Sequence, residues 1–477
     1  MEKFLKISIG FCLILPFVVS FFSHILINFK NKILLRRLSS AFCFLNFVFC
    51  SGLFFSNLNL DFSFFGVNFL ISEKTTLFLF FNSLLFLLFV FSSKTFINKF
   101  HKIFYSNLVL YLGLINLFFF CDGVFLSFGV LFLIFLLNYL FSSIYSKDSF
   151  QKELKARFGL DFLILFLALG LILFDFSRYF IANDLGLLYS NMRSYLGYVQ
   201  DSSCVFAFFG FLIVAFRLLN LVFGFNFSSL VEKKNNFLIS LNLLPILLLG
   251  GYYFLLIFQN FDFLFYKFQN YIVLFLALNM LYSALLSFRK DNVFKTSLFL
   301  LCSNLPFLIF ILFSFEEGSV EIFSYSFIGL IFSYFLLFLV LLFQEKKLSS
   351  LDFSSLSRGL SDNKKIQILT LYSILNISFA PCFSLFYSFV LLNSIVFTSH
   401  FEGEVLNSCA WVAFFSIFLI SISIFSLIGK IFIEPTKISK IKVEFPLHQR
   451  VCLYILVFLN ILFSFFGAYL INGLGLI

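Results

Sequence analysis

The sequence predicts an all-α polytopic membrane protein with about 14 transmembrane helices. Of its 477 residues, 61% are hydrophobic and only 12% are charged, and the mean hydropathy is +1.05. Soluble domains contain about half apolar and a quarter charged residues, so this composition excludes them. Polar breaks divide the chain into fourteen apolar stretches, most of them near the roughly 20 residues that cross a bilayer. Lys and Arg then alternate between successive loops.

The apolar stretches are taken in chain order. They lie near residues 4–28, 39–59, 75–93, 104–121, 123–145, 158–180, 203–225, 236–258, 269–288, 293–315, 320–344, 366–399, 407–429 and 449–474. The first is interpreted as a helix rather than a signal peptide, because no small-residue cleavage site follows it. Asp122 and Gly123 separate the fourth stretch from the fifth. The twelfth is too long for one straight crossing.

Basic residues test this division independently, because Lys and Arg accumulate in cytoplasmic loops. The odd-numbered loops hold 26 of the 33 Lys and Arg residues, whereas the opposite side, termini included, holds six. The one remaining basic residue, Arg217, lies inside the seventh apolar stretch. The split predicts that both termini are extracytoplasmic. We expect the protein in the inner (plasma) membrane of a cell rather than in the mitochondrial inner membrane.

The connecting segments are short. Residues 60–74 alternate apolar and polar side chains, which predicts a small hairpin between the second and third helices. The outer segment 179–202 has room for a short surface helix, and the inner segment 345–365 reads as a Ser-rich linker. None of these segments is long enough for a soluble catalytic domain.

Several functions are excluded by composition. The net charge of +10 is spread over many loops, so no basic patch for nucleic acid forms. Nine cysteines without a C-x-x-C pair and four scattered histidines give no metal or haem pattern. We therefore expect no cofactor, no metal site and no catalytic constellation.

Arg217 is the single basic residue deep in a predicted span. A charge there costs about 2.5–3.5 kcal/mol on insertion scales, so it is expected to face a polar interior and to have a function. The alternative is that Arg217 snorkels to the inner surface, with Asn220 one turn nearer that surface. The eight residues to the helix end rise about 12 Å, more than the side chain reaches easily.

The twelfth stretch, 366–399, has a polar centre that reads LNISFAPCFSLFYS. Pro381 removes a backbone donor and clashes with the preceding turn. Asn376, Ser378 and Ser384 can satisfy the carbonyls that this frees. The pattern predicts a broken helix, which marks an ion path in many transporters. A Pro kink with only a packing role is the alternative.

Other polar groups occur in the sixth and eighth stretches. Asn242 lies three residues before Pro245 in the eighth. Asp161 and Asp175 lie nearer the ends of the sixth, where Asp175 can pair with Arg178. Lys155, at the inner end of the sixth, is either a pathway residue or an ordinary solvated charge.

Six strings occur in a set order along the chain. They are FLISEKTTLFLFF, NLVLYLGLINLFFFCDGVFLSFGVLFLIFLLNYLF, KELKARFGL, FLIVAFRLLN, NFLISLNLLPILLLGGYYFL and ISFAPCFSLFYSFVLL. With the predicted topology, they resemble the antiporter-like proton-pumping subunits of respiratory complex I and the large subunits of Mrp-type cation/proton antiporters. The resemblance covers about residues 60–430. It rests on the ordered set, because no single string is specific.

The resemblance implies two inverted five-helix repeats with broken helices 7 and 12. The implied parts are N-terminal helices 1–3 at 1–103, a first repeat at 104–258, a second repeat at 269–430 and a C-terminal helix 14 at 431–477. Lys155 and Arg217 fall on the family's helix-six and helix-seven lysines. The implied ion-pathway residues are Arg217, Lys155, Asn220, Asn242, Asn376 and Pro381.

The implied function is that of a membrane-arm subunit of a proton- or sodium-translocating complex, with other hydrophobic subunits as partners. It implies no catalytic site of its own, only membership of an NADH:quinone oxidoreductase-type translocase. The chain departs from the family pattern, because the helix-five glutamate falls near Leu131 or Phe132 and the central lysine is Arg217. Arginine is a poor proton carrier. The sequence thus leaves open whether the ion channel of this divergent chain is active or degenerate.

A second class of function is also open. Exporters of lipid-linked saccharides or polysaccharides have about this length and often fourteen helices. They are expected to have cytoplasmic termini and several basic residues in a cavity. The predicted outside termini and the single buried Arg217 count against this alternative.

Overall fold

The computed structural model describes most of the chain. It covers residues 2–25, 32–56, 60–64, 67–94, 96–97, 101–144, 148–180, 188–189, 204–221, 236–288, 292–313, 319–348, 351–360, 364–379, 383, 385, 404–433 and 445–473. The side chains of residues 2–7, 60–68, 149–154 and 177–180, among others, are not described even though their backbone is.

The described residues form helices throughout, apart from one small hairpin. The helices are α1 (Glu2–Ile25), α2 (Lys32–Phe54), α3 (Glu73–Ser93), α4 (His101–Phe120), α5 (Val124–Ile144), α6 (Asp148–Phe180), α7 (Val205–Leu218), α8 (Asn236–Asn260), α9 (Asp262–Ser287), α10 (Val293–Leu312), α11 (Ser319–Leu348), α12 (Phe353–Leu360), α13 (Lys364–Leu375), α14 (Glu404–Ile428) and α15 (Leu447–Gly473). The predicted fold class, an all-α polytopic membrane protein, is confirmed.

Within the described residues, 11 helices are long and apolar enough to cross a membrane. Three further predicted spans, the first, seventh and twelfth, coincide with α1, α7 and α13, whose apolar described parts are shorter. Each predicted span therefore has a helix at its position. The total of fourteen crossings stays a prediction.

The predicted hairpin at 60–74 is confirmed. Strands β1 (Leu60–Phe64) and β2 (Val67–Ile71) pair antiparallel, with Leu60 opposite Ile71. Ser72 then caps α3, because its hydroxyl accepts a hydrogen bond from the Thr75 amide at 3.2 Å. A break between the fourth and fifth helices is also confirmed, since α4 ends at Phe120 and α5 begins at Val124.

The inner segment 345–365 was predicted to be a linker, and this is wrong for its central part. Residues Phe353–Leu360 form the short helix α12. The Asp352 carbonyl accepts the first hydrogen bonds of this helix from Ser355 and Leu356, both at 3.1 Å. Leu351 and Leu356 are almost fully buried. Burial of these two leucines offsets the weak helix propensity of the serines. The outer segment 179–202 lies largely outside the described residues.

The chain divides into two compact units. Unit 1 comprises residues 1–218 and 245–264, and unit 2 comprises 219–244 and 265–477. The division passes through α8 at Pro245 and through α9 near its start. The predicted repeat boundaries are not tested by this division and stay a prediction.

Unit 1 is held together by a buried amide at the centre of its first four helices. Asn116 of α4 donates to the Asn46 side chain of α2 at 3.2 Å and to the Cys12 carbonyl of α1 at 3.4 Å. Asn82 of α3 donates to Asn116 at 3.4 Å. An apolar side chain is about equally stable against lipid and against another helix. Interhelical hydrogen bonds such as these therefore help to determine which helices pack together.

Unit 2 is organised around α11, whose membrane-crossing window is entirely buried. Helices α10, α13 and α15 pack directly against α11. The burial explains the sequence of α11, which is apolar on all sides rather than on one face. Its few polar residues therefore meet other helices and not lipid.

Candidate functional site

Arg217 lies in the last turn of α7, near the point where this helix ends. The helix ends at Leu218, and Asn220 follows with a φ of 54°. This left-handed conformation terminates helices and is tolerated by asparagine better than by most residues. Within the seventh predicted span, 203–225, the helix thus ends at Leu218, and the residues after 221 lie outside the described part of the chain. The implied break of helix 7 stays a prediction. The guanidinium lies at a helix C-terminus, where the helix dipole favours positive charge.

Arg217 pairs with Asp161 of α6. Asp161 lies near the N-terminal end of the apolar part of this helix, Lys155–Phe176. The Arg217 Nε and Nη2 atoms both contact Asp161 Oδ1. The two side chains are 12% and 15% exposed, respectively. Breaking such a buried pair by removing one partner costs about 3–5 kcal/mol. Arg217 is thus held by a carboxylate 56 residues away in the chain.

Helix α6 binds α7 at both ends through two aspartates. Asp175 Oδ2 accepts a hydrogen bond from the Ala207 amide at the N-terminal end of α7, at 2.7 Å. Asp161 binds Arg217 at the other end. The aspartates are 14 residues apart on α6, about 21 Å of helix rise, and α7 is itself 14 residues long. Asp175 therefore lies at the positive, N-terminal end of the α7 dipole, and Asp161 lies beside the cation Arg217 at the C-terminal end.

Close packing supports this arrangement. A Cβ added to Gly210 of α7 would lie 2.8 Å from the Ala168 carbonyl and 3.1 Å from Ile172 of α6. Small residues allow membrane helices to approach this closely. The predicted alternative, in which Asp175 pairs with Arg178, involves a side chain outside the described part of the chain.

The other predicted site residues before residue 245 are Lys155, Asn220 and Asn242, and they lie on different helices or helix ends. Lys155 is on α6, and its side chain is exposed. Asn242 is half-buried on α8, three residues before the buried Pro245. Asn220 terminates α7, as described above. Arg217 and Asp161 are therefore an ion pair of unit 1, and Lys155 is an exposed residue of the same unit.

The second site is at the end of α13, in unit 2. Helix α13 ends at Leu375, inside the twelfth predicted span, and residues 376–379 form turns. Asn376 is fully buried and donates to the Ser333 hydroxyl of α11 at 2.9 Å. The helix therefore ends six residues before Pro381, which itself lies outside the described residues.

Two further asparagines complete this cluster. Asn304 of α10 donates to the Ile377 carbonyl and to the Tyr334 hydroxyl, both at 3.2 Å. Asn460 of α15 accepts a hydrogen bond from the Ser333 hydroxyl at 2.8 Å. Four helices, α10, α11, α13 and α15, thus contribute polar groups around one helix end.

Sequence reasoning missed Asp161, Asn304, Ser333 and Asn460 as site residues. Asp161 was treated as a residue near a helix end, although an acidic residue inside a span is a signal of function. Asn304 and Asn460 are amides within apolar spans, which is the sequence signal that identifies them. Ser333 gives no sequence signal, because serine bonds readily to its own helix.

Comparisons with solved structures show the fold. One chain of respiratory complex I from Thermus thermophilus with bound NADH matches with a TM-score of 0.82 and 16% identity, covering 98% of this chain and 97% of that chain. A chain of the membrane-bound sulfane sulfur reductase, an archaeal respiratory membrane complex, matches with a TM-score of 0.80 and 13% identity, covering 98% and 96%. A chain of the Mrp complex from Dietzia sp. DQ12-45-1b matches with a TM-score of 0.80 and 12% identity, also covering 98% and 96%.

No protein-family profile matches the sequence. No protein with a curated description matches it either. The chain therefore has the fold of these membrane-complex chains over nearly its whole length, at a sequence identity of only 12% to 16%.

Proposed function

We propose that this protein is a membrane subunit of a proton- or sodium-translocating respiratory or antiporter complex. The observation that carries the proposal is the match of 98% of the chain to chains of complex I, of an archaeal respiratory complex and of an Mrp complex. The ordered strings of the sequence point to the same class of protein. The partners in this proposal are the other hydrophobic subunits of such a complex.

The proposed arrangement follows the same resemblance. It has two inverted repeats, at 104–258 and 269–430, each with one interrupted helix. The ends of α7 at Leu218 and of α13 at Leu375 support this arrangement. The proposed ion-pathway residues are Arg217, Lys155, Asn220, Asn242, Asn376 and Pro381, and the contacts described above add Asp161 to them.

Arg217 sets what the first pathway can do chemically. Its guanidinium stays protonated at any physiological pH, so it does not release a proton itself. While it contacts Asp161, the two charges neutralise each other, and the end of α7 carries no net charge. Opening the pair places a bare cation and a bare carboxylate at the same depth. In this proposal Arg217 therefore acts on ions through its field and not as a proton carrier.

Extraction with a mild detergent tests the assignment to a complex. We expect an affinity-tagged form of the protein to be recovered together with other polytopic subunits, because the matching chains belong to membrane complexes. Size-exclusion chromatography and mass spectrometry of the purified sample provide the measurement. Recovery of a monomer that moves a lipid-linked saccharide across liposomes would support the exporter instead. Nothing in the described sites or in the comparisons supports that exporter.

We also propose the orientation with both termini extracytoplasmic, in the inner (plasma) membrane of a cell. The supporting observation is the distribution of basic residues, 26 on one side against six on the other. Several of these cations flank described helix ends, among them Lys346 and Lys347 at the end of α11.

Reporter fusions test this orientation. Fusions after residues 36, 99, 155, 290, 358 and 440 should report a cytoplasmic position, and fusions near 190, 265 and 402 an external one. The reason is that each intervening helix reverses the side of the next loop. A reporter active only outside the cell and one active only inside provide matched readings at each position. Two adjacent loops on the same side would contradict the topology.

A further inference from the structure

The polar cluster at the end of α13 lies deep in unit 2. Asn376, the first residue after this helix, bonds to Ser333, which is at the midpoint of the 30-residue helix α11. An α-helix of 30 residues is about 45 Å long, so its midpoint is far from both ends. Asn304, Ser333 and Asn376 are all 0% exposed. The helix end is therefore enclosed by protein at membrane depth.

Two of the three cluster amides, those of Asn304 and Asn376, donate to protein groups but have an oxygen that accepts no hydrogen bond within the described residues. The Nδ2 of Asn376 bonds to Ser333, and the Nδ2 of Asn304 bonds to Ile377 and Tyr334. The Oδ1 atoms of Asn304 and Asn376 are buried and accept no hydrogen bond from any residue that the structure describes. Buried acceptors almost always have a partner. Two such oxygens beside one helix end are therefore available to a hydrogen-bond donor or to a cation.

The backbone adds to the same negative potential. The last carbonyls of a helix have no partner within it and form the negative end of its dipole. At α13 the Tyr372 and Leu375 carbonyls are used by the turn, through the amides of Asn376 and Ser378 at 2.9 Å each. The dipole of α13 still points its negative end into the cluster. Unwound carbonyls and half-helix C-termini coordinate sodium in membrane transporters.

The oxygen types select the class of ion. Amide, hydroxyl and carbonyl oxygens are hard ligands that suit alkali and alkaline-earth cations. The hydrogen-bonded residues of the cluster include no carboxylate, imidazole or amine. Without a carboxylate, a divalent charge would be left uncompensated in a low-dielectric environment. Amides and aliphatic hydroxyls also do not take up or release a proton near neutral pH.

We infer that the Asn304 and Asn376 Oδ1 atoms, together with the C-terminal end of α13, bind a partly dehydrated sodium ion in unit 2. The inference rests on the proposed transport function and names the ion for this half of the chain. It gives a role to Asn376 that needs no titratable group. It also explains how a pathway can lack the ionisable residues that a proton route requires.

A third buried oxygen lies on the same helices, at Gln344. Gln344 of α11 donates from Nε2 to the Thr370 hydroxyl of α13 at 2.8 Å, and its Oε1 accepts no hydrogen bond within the described residues. Gln344 is 11 residues from Ser333, which is about 16 Å along the helix. Next to Gln344, the half-buried Glu345 accepts a hydrogen bond from Asn236 at 2.8 Å. Side-chain oxygens of Gln344 and Glu345 thus lie near the Leu348 end of α11, on the same helix as Ser333 of the cluster.

Direct binding of radioactive sodium tests the inference. The protein is purified within its complex in mild detergent, and bound ²²Na⁺ is measured with NaCl, KCl or choline chloride as competitor at constant ionic strength. We expect saturable binding that NaCl displaces and choline chloride does not. Asn304→Ala and Asn376→Ala should each raise the half-saturating NaCl concentration about tenfold, equivalent to about 1.4 kcal/mol.

Asn116→Ala is the matched control, because Asn116 is also a fully buried amide in an apolar helix but belongs to unit 1 and accepts a hydrogen bond through its oxygen. It should leave sodium binding unchanged. Absence of saturable binding, equal competition by KCl, or equal binding by the cluster variants and the control would overturn the inference. If a variant does not assemble, the wild-type isotherm with its KCl competition still decides.

The outcomes also separate this inference from the proposed function. If the complex moves protons but binds no ²²Na⁺, the sodium site is contradicted and the assignment to a translocating complex is not. If the protein is recovered as a monomer and its ²²Na⁺ binding is weakened by Asn376→Ala, the sodium site is supported and the proposed assembly is contradicted.

Discussion

Arg217→Leu is expected to destabilise the assembled protein by about 3–5 kcal/mol. The substitution leaves the Asp161 carboxylate 15% exposed and without the guanidinium that it contacts, and an uncompensated charge in such a site is strongly unfavourable. Asp161→Leu should cost a similar amount for the same reason. The double substitution Arg217→Leu with Asp161→Leu should recover most of the loss, because no charge then remains buried.

A double-mutant cycle measures this coupling. Thermal unfolding midpoints and the yield of intact complex are compared for the two single variants, the double variant and the wild type. Lys155→Leu is the control, since Lys155 is an exposed cation on the same helix, and it should change stability by less than about 0.5 kcal/mol. Additive losses in the double variant would show that the contact contributes no coupling.

The double variant also tests whether the pair affects ion movement. If the field of Arg217 controls the pathway of unit 1, fully assembled complexes that lack both charges should translocate ions more slowly. Arg217→Lys keeps the charge but lacks the planar guanidinium, so it should assemble better than the leucine variant. Unchanged flux in intact double-variant complexes would remove Arg217 and Asp161 from the ion pathway and leave them a structural role.

Gly113→Ala is expected to have the second-largest effect, a loss of about 1–3 kcal/mol from overpacking. A Cβ at Gly113 of α4 would lie 2.5 Å from the Cβ of Pro16 on α1. The proline ring is rigid and attached to the backbone, so it cannot turn aside as a flexible side chain can. Helices α1 and α4 would therefore have to separate, which also strains the Asn116 hydrogen bond to the Cys12 carbonyl.

Gly10→Ala provides the matched control. Gly10 is on α1, and a Cβ there would meet no atom within 4 Å. The same chemical change should then be neutral or stabilise by up to about 1 kcal/mol through helix propensity. The unfolding midpoints of the two variants in detergent should move in opposite directions. A Gly113→Ala protein as stable as Gly10→Ala would contradict the close approach of α1 and α4.

The order of helices could be predicted from the sequence because membrane insertion depends on local properties. A run of apolar residues and the charges beside it are read directly from consecutive positions. The small hairpin before α3 was predictable for the same reason, since period-two alternation is local. Helix α12 could not be predicted in the same way, because its serines have weak helix propensity and the burial of Leu351 and Leu356 depends on the tertiary fold.

The candidate sites divide in the same way. Arg217 and Asn376 were identified because a polar residue in an apolar run stands out without any structure. Their partners were not identified, because each contact joins residues that are distant in sequence. Arg217 and Asp161 are 56 residues apart, and Asn304 and Ile377 are 73 apart. No local pattern specifies such pairings.

The sequence by itself determined that this is a polytopic helical membrane protein and where its apolar helices lie, because hydrophobicity is a property of consecutive residues. Only the tertiary structure decided that α7 ends beside Arg217, that two aspartates of α6 bind its two ends, and that the buried amides of Asn304 and Asn376 both lie at the end of α13. In a membrane, apolar side chains gain little by leaving lipid for another helix. Helix partners are therefore fixed by close packing and by a few buried polar contacts, and both appear only when the chain is folded.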